Sequence, residues 1–536
     1  MNIIYKVIFV KKKKQSFTQG VVILLIAQIL IKIIGLIYKL YLTNKEGFGD
    51  AGNAIYSSGF QIYAILLTIS SVGVPNAVSN LISEKLSIGD EKNAKRIFKV
   101  AFAMFAIIGF ICSISLFIGA EYISEKILLI PESKLTLQVL APSVFFVAIM
   151  AVIRGYFNAV GDMKPMATSQ MIEQIAKTIL TIGIVEYICI YINTKNKTAL
   201  MAAGANLSTS ISTIISYLYL YNHYKKYRTM KITNKEFVLE KIDIVAKSIL
   251  LVAVPITAGV LLNGLNKTID SITIVRGLNK FMSAEDAKLQ YGILSGKIDM
   301  LVNLPMSFNM ALIVSLVPKI AAANAKKCLE KVKRKIKLSL LTTAIIAFPS
   351  TALMVIYANP ILKLLFPNAS SGYFVCQISA FSIIFVMFNQ IINGILQGIG
   401  KQFVPVISIG VGVILKLIIN LLLISINPNE FIFGGIAGAA LGTVICNMIT
   451  LFINIFSLRK IIKFNMHEYS FLIKPAICTI ITSLISYYIY KIINENLIIN
   501  TNLGTIITIG ISIFIYLILI ILFKSLPIQK RSIEVK

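Results

Sequence analysis

Fourteen long apolar runs follow one another along the chain, at roughly 17–42, 54–82, 97–119, 135–158, 168–192, 198–222, 244–270, 291–323, 336–358, 373–398, 403–425, 433–457, 471–491 and 503–524. About 20 apolar residues in helical form cross the ~30 Å hydrocarbon layer of a bilayer. A backbone amide left unpaired there costs several kcal/mol, so runs of this length must close their own hydrogen bonds as helices. The pattern predicts an all-α integral membrane protein of about fourteen transmembrane helices. Only 14% of the residues are charged, against about 25% in a soluble domain, so the runs are not cores of separate soluble units. No connector exceeds about 25 residues, too few for a folded domain. Function must therefore live within the helices.

The formal net charge of +29 does not indicate nucleic acid, because the cations are clustered between apolar runs and not along one soluble face. Their distribution sets topology. With Lys11 to Lys14 placed on the cytoplasmic side, even-numbered connectors should be basic. The second carries Lys85, Lys92, Lys95, Arg96 and Lys99; the sixth Lys225, Lys226, Arg228, Lys231, Lys235 and Lys241; the eighth Lys326, Lys327, Lys331, Lys333, Arg334, Lys335 and Lys337. The twelfth has Arg459, Lys460 and Lys463, and the tail Lys524, Lys530, Arg531 and Lys536. Odd connectors are poor or mixed, with Glu46 and Asp50 in the first and Glu121, Glu125 and Glu132 in the third. The expected location is a bacterial cytoplasmic membrane, with both termini inside and membrane lipids as surroundings. The first apolar run is too long for a secretory signal and has no cleavage site.

Six cysteines, Cys112, Cys189, Cys328, Cys376, Cys446 and Cys478, lie scattered and mostly inside apolar runs. They read as small hydrophobes, and His223 and His467 as connector residues. Neither a metal centre nor a cofactor is expected. Enzymatic chemistry is poorly served: GxSxG is absent, as are a phosphate-cradling glycine loop and an acidic cluster.

Two stretches repeat. Arg154-Gly155-Tyr156-Phe157-Asn158-Ala159-Val160-Gly161 is followed by Pro165 and then Lys177; Asn393-Gly394-Ile395-Leu396-Gln397-Gly398-Ile399-Gly400 is followed by Pro405 and then Lys416. A fainter pair is Ser71-Val72-Gly73-Val74-Pro75 and Val314-Ser315-Leu316-Val317-Pro318, and the two prolines of each set stand 90 and 87 residues apart. Copies six helices apart keep one orientation, which predicts two six-helix lobes in parallel pseudo-repeat over 1–230 and 231–462, with two additional helices in 463–536. Two such lobes rocking about a central cavity give alternating access.

A cation at mid-bilayer costs roughly 2.5–3.5 kcal/mol on an insertion scale, so it should face water, a partner or a substrate. Lys32, Lys177 and Lys416 lie well inside helices 1, 5 and 11, and a cavity of one sign suits an anion such as a diphosphate. Lys32 has no carboxylate one turn away. Lys177 stands four residues after Glu173, which offers an internal pair instead. Lys39, near the end of helix 1, either joins the cavity or snorkels. Arg154 reads as an anchor. Near helices 7 and 8 lie Lys267, Asp270, Arg276, Lys297 and Asp299; Lys267 and Asp270 are spaced for a pair, and Asp299, six residues before Pro305, is a candidate for ion coupling together with Asp270. The amides Asn389, Gln390, Asn393 and Gln397 of helix 10 read as interhelical glue more than as sugar ligands.

The ordered set Lys32-Ile33-Ile34-Gly35-Leu36-Ile37-Tyr38-Lys39, Gly73-Val74-Pro75-Asn76-Ala77-Val78-Ser79, Arg154-Gly155-Tyr156-Phe157, Ser169-Gln170-Met171-Ile172-Glu173-Gln174, Asn303-Leu304-Pro305, Ser315-Leu316-Val317-Pro318 and Gly394-Ile395-Leu396-Gln397-Gly398 resembles the multidrug/oligosaccharidyl-lipid/polysaccharide exporter superfamily. The resemblance is to its branch of lipid II flippases and stage V sporulation protein B, and it spans helices 1 to 11. It implies two lobes around a cationic cavity and a groove beside the last two helices for a polyprenyl tail. The implied partner is a lipid-linked anionic oligosaccharide, an undecaprenyl-diphosphate sugar. Lys32 and Asp299 match a basic and an acidic family position. The basic residues that Gram-negative flippases carry in helix 2 and beside that aspartate are missing, with Leu67, Thr68 and Met300 in their places. Lys39, Lys297 and Arg276 are the candidates to supply the charge. The function expected is a non-enzymatic flippase for lipid II or a related cell-wall saccharide, serving growth or sporulation, monomeric, with cell-wall synthases as conceivable partners. The alternatives are a cation-coupled drug exporter of the same superfamily and a membrane glycosyltransferase or polymerase acting on the lipid carrier.

Overall fold

The computed structural model describes residues 17–227, 238–307, 309, 320, 324, 329–401, 403–462, 470–496 and 501–523. Among these residues all regular structure is helical. In chain order the helices are α1 (Phe17–Asn44), α2 (Gly49–Ser71), α3 (Val74–Ser87), α4 (Glu91–Tyr122), α5 (Ser133–Ala159), α6 (Lys164–Tyr191), α7 (Lys197–Tyr227), α8 (Ile242–Leu278), α9 (Ala284–Gly292), α10 (Leu329–Ile356), α11 (Ala358–Leu365), α12 (Tyr373–Gly398), α13 (Phe403–Leu423), α14 (Ile436–Ile462), α15 (Ile473–Asn496) and α16 (Thr501–Leu522). Twelve helical spans among the described residues are long and apolar enough to cross a membrane, α2 and α3 counting as one. Two more segments complete the fourteen expected: α1, with 28 residues, and α9, whose helix runs on through a π-helical stretch, Ile293–Ile298, to residue 307.

The break between α2 and α3 falls where Pro75 enters the first turn of α3, since proline has no N–H to continue the preceding ladder. The repeated motif folds the same way twice. Gly161 and Gly400 both take positive φ, 77° and 82°, which glycine adopts without steric cost. Asp162 N donates to Phe157 O at 3.0 Å, and Lys401 N to Leu396 O at 2.8 Å, the same six-to-one closure of a helix C-terminus. Pro165 and Pro405 then open α6 and α13. Pro318 and its motif lie outside the described residues.

The core explains the position of the site. At the end of the bundle carrying the α1–α2 turn, one apolar cluster runs from Leu42, Ile55 and Val185 to Ile298, Phe366 and Ile424. At the opposite end the core divides. One cluster holds α3, α4 and α5 (Val78, Phe98, Ile153), and the other holds α10, α12 and α14 (Ile336, Ile392, Leu458). The first half of α8, through Val245, Ile249 and Ala253, belongs to the former cluster, while its second half packs on α13. The amides of α12 act as interhelical ties. Asn454 Nδ2 donates to both Asn389 Oδ1 and Asn393 Oδ1 at 3.0 Å, and Asn389 Nδ2 donates to Asn447 O at 2.8 Å. His223 lies within α7, not in a connector, packed on Phe157 and Tyr219. His467 falls outside the described residues.

Candidate functional site

Where the shared core gives way, α1, α2, α6, α8, α9 and α13 bring charged side chains together. On α1, Gln28, Lys32, Gly35 and Lys39 recur at spacings of four and three, which places them on one helix face. Gln28 meets Gln170 of α6 at 2.9 Å, and Gly35 faces Gln174. The exposed apolar residues Leu30, Ile33 and Ile37 lie on a different side of α1. Lys32 is exposed on this polar face. Lys39 does not snorkel: it is 9% exposed, donates to Asn53 Oδ1 at 2.6 Å and lies 4.6 Å from the Tyr56 ring.

Lys177 is likewise 9% exposed. It does not pair with Glu173, which goes to Arg154 at 3.0 Å; its ammonium sits 5.3 Å from the Tyr38 ring and 5.2 Å from Phe60. Aromatic faces attract a cation but carry no net charge to cancel it. Among the described residues no carboxylate lies within ion-pair distance of Lys32, Lys39 or Lys177.

The remaining cations of the layer are compensated. Lys416, 1% exposed, donates to Asp270 Oδ2 at 2.6 Å and to Asn266 O and Oδ1 at 2.7 and 2.5 Å. Asn420 holds the other Asp270 oxygen at 3.0 Å. Lys267 turns from Asp270 to Asp299 at 3.1 Å, so both candidate ion-coupling carboxylates already have a lysine. Lys297, fully buried, reaches Asp50 at 2.9 Å, which places Asp50 inside the bundle and not in an outer connector. Arg276 stands apart from this group, donating to Lys126 O at 2.8 Å on the exposed rim. At the α1–α2 turn, Lys45 is held above its ordinary pKa by its hydrogen bond to the Glu186 carboxylate.

The structure thus brings Lys32, Lys39, Lys177, Lys267, Lys297, Lys416, Asp270 and Asp299 into one region. Sequence reasoning missed Tyr38, Asn53, Tyr56 and Phe60, whose partners are contributed by other helices. Asn266 and Asn420 stand four residues from Asp270 and Lys416, a same-face spacing that marks them in retrospect. A second feature lies between α10, α15 and α16: an apolar cavity of about 300 Å³ lined by Ile345, Pro349, Leu353, Thr482, Ile513 and Leu517 among others.

This architecture is that of the multidrug/oligosaccharidyl-lipid/polysaccharide transporters and flippases. The family profile described as "Polysaccharide biosynthesis protein" matches residues 17–324, more than half of the chain, and the chain belongs to that family; the MatE profile matches residues 296–422. The chain is 24% identical to Stage V sporulation protein B of Bacillus subtilis (strain 168) over 95% of its own length and 96% of that protein's. It is 23% identical to Lipid II flippase MurJ of the same organism over 80% of each. Among solved structures, a lipid II flippase MurJ in an inward closed conformation superposes with a TM-score of 0.69 at 16% identity, covering 94% of this chain and 99% of that one. An inward-facing multidrug resistance MATE transporter superposes with a TM-score of 0.64 at 14% identity, covering 82% and 98%.

Proposed function

We propose that this protein flips an anionic lipid-linked saccharide of the undecaprenyl-diphosphate class, lipid II or a cell-wall relative, across the cytoplasmic membrane by alternating access, without covalent chemistry. The observation that carries the reading is the sorting of charges. Lys416, Lys267 and Lys297 each have a carboxylate, while among the described residues Lys32, Lys39 and Lys177 have none. Three uncompensated cations on α1 and α6 leave a field that an anionic head group fills, with Lys32 as the exposed first contact. In this reading residues 1–230 and 231–462 act as the two lobes, both termini are cytoplasmic, and the joined α1–α2 end faces outward. The apolar cavity beside α15 and α16 takes part of the prenyl tail. A cation-coupled drug exporter fits less well, since Asp50, Asp270 and Asp299 are already neutralised by lysines.

The test is a leaflet-accessibility assay for lipid II in flippase-depleted cells carrying this gene. Lys32→Ala abolishes transfer while the folded protein still accumulates in the membrane. Full complementation by Lys32→Ala counts against the reading, and formation of new glycosidic bonds by the purified protein points to an enzyme.

A further inference from the structure

Lys297 is one of the largest fully buried side chains in the protein. Its ammonium donates to Asp50 Oδ2 at 2.9 Å, Ala369 O at 2.5 Å, Ser371 O at 3.2 Å and Ser371 Oγ at 3.4 Å. None of these acceptors belongs to its own helix. They come from the first turn of α2 and from the segment between α11 and α12, so one side chain ties three separate parts of the chain. The backbone is built to allow it. Gly292 lies directly against Asp50 O, and a Cβ on Gly296 would stand 2.5 Å from Asn53 Cβ, so α9 approaches α2 more closely than any larger residue permits. Lys297 itself sits in the π-helical stretch Ile293–Ile298.

The same two helices carry the partners of the anion site. Asn53, one turn beyond Asp50, accepts from Lys39, and Asp299, two residues beyond Lys297, pairs with Lys267. We propose that Lys297 is a positioning residue for the anion site: it latches the α1–α2 end shut, and in doing so seats Asn53 and Asp299 beside Lys39 and Lys267.

The choice of an ion pair here has a physical sense. An apolar contact in the same place favours closure through buried area. A buried ion pair gains little net stability, because desolvation of both charges offsets their attraction. When this end opens, Lys297 and Asp50 return to water, and closed and open forms stay near balance. The contact is therefore specific in geometry yet inexpensive to release. Asp50 Oδ1 is buried and accepts no hydrogen bond among the described residues, which leaves the carboxylate spare capacity. Asn53, which holds Lys39, stands three residues after Asp50 on α2, so a change at the latch is felt at the site.

The latch is separable from the transport reading on which its consequence for the anion site rests. In a cysteine-free background, Thr43→Cys provides the reporter: Thr43 is fully buried and bonded to Asn53 Nδ2 at 3.0 Å. Full-length protein in lipid vesicles is treated with a membrane-impermeant maleimide. Lys297→Met, which keeps the volume and removes the charge, raises the initial labelling rate by at least about tenfold as the closed end opens locally. Lys85→Met, which breaks the part-buried Lys85–Glu240 pair on α3 at the opposite end of the bundle, leaves the rate within about twofold. Unchanged labelling in Lys297→Met, or an equal rise in Lys85→Met, overturns the proposal. Should Lys297→Met fail to yield monodisperse protein, Asp50→Asn carries the same test, with a rise of about threefold or more expected and no rise overturning it. Farnesyl diphosphate serves as the binding probe in parallel. Lys297→Met weakens its binding by about tenfold, a factor that corresponds to about 1.4 kcal/mol, while unaltered binding refutes the positioning role. If the unmodified protein binds no diphosphate at all, the transport reading fails, and the labelling experiment still decides the latch.

Discussion

Lys416 offers the sharpest separation between a side chain that holds the protein together and one that serves its cargo. Its ammonium is 1% exposed and engages three oxygens of α8 at 2.5 to 2.7 Å. Replacing it with alanine leaves the largely buried Asp270 carboxylate with Asn420 as its remaining hydrogen-bond partner among the described residues. Breaking one partner of a buried pair costs about 3–5 kcal/mol, because the orphaned charge must be protonated or hydrated in place. Removing both charges is different. Lys416→Met with Asp270→Asn leaves no orphan, and such replacements are often neutral or stabilising by about 1–4 kcal/mol. The prediction is a non-additive double-mutant cycle: Lys416→Met alone and Asp270→Asn alone each destabilise, and the double variant recovers most of the loss. Thermal unfolding of the detergent-solubilised protein, followed by loss of monodispersity, measures each corner. The transport assay on the same four proteins should track stability. If Lys416→Met instead keeps the stability of the unmodified protein and loses transfer, Lys416 is a direct ligand and the assignment of a structural role is wrong.

Other outcomes follow from the same geometry. Lys177→Met retains fold, since it removes an uncompensated cation from aromatic surroundings, but lowers diphosphate binding by about tenfold or more; isothermal titration with farnesyl diphosphate measures it. Asn454→Leu unties Asn389, Asn393 and Ser408 together; at about 0.6 kcal/mol per interhelical bond the loss approaches 2 kcal/mol, read as a lower unfolding temperature. Glu186→Gln removes the partner of Lys45 at the exposed α1–α2 turn and costs under about 1 kcal/mol after screening. Because the Lys45 pKa is raised above 10.5, the Lys45 side of that interaction is fully present at neutral pH. It is lost only as pH climbs through the raised value, which a stability profile at alkaline pH checks.

Particular elements show how far sequence reading reaches. The repeated Gly-then-Pro motif foretold two turns of the same kind, and Gly161 and Gly400 make them with matching hydrogen bonds. Local periodicity could also propose partners one turn away, and there it misled. Glu173 stands four residues before Lys177 but pairs with Arg154. Lys267 stands three before Asp270 but pairs with Asp299. Arg276 had the right charge and neighbourhood in sequence, yet its side chain leaves the bundle for Lys126 O. Spacing along one helix says which residues share a face; it does not say which other helix that face meets.

The sequence by itself determined that the chain crosses a membrane many times, where the helices run, and that several cations stand inside them. Those follow from hydrocarbon thickness and backbone hydrogen bonding, which act residue by residue. Tertiary structure alone decided which cations are spent and which remain. Asp50 and Lys297 are 247 residues apart, and Asp270 and Lys416 are 146 apart, so their neutralisation depends on helices meeting across the bundle. The same meeting leaves Lys32, Lys39 and Lys177 with amides and aromatic rings but, among the described residues, no carboxylate, because electrostatic pairing is set by distance in space and not by order along the chain.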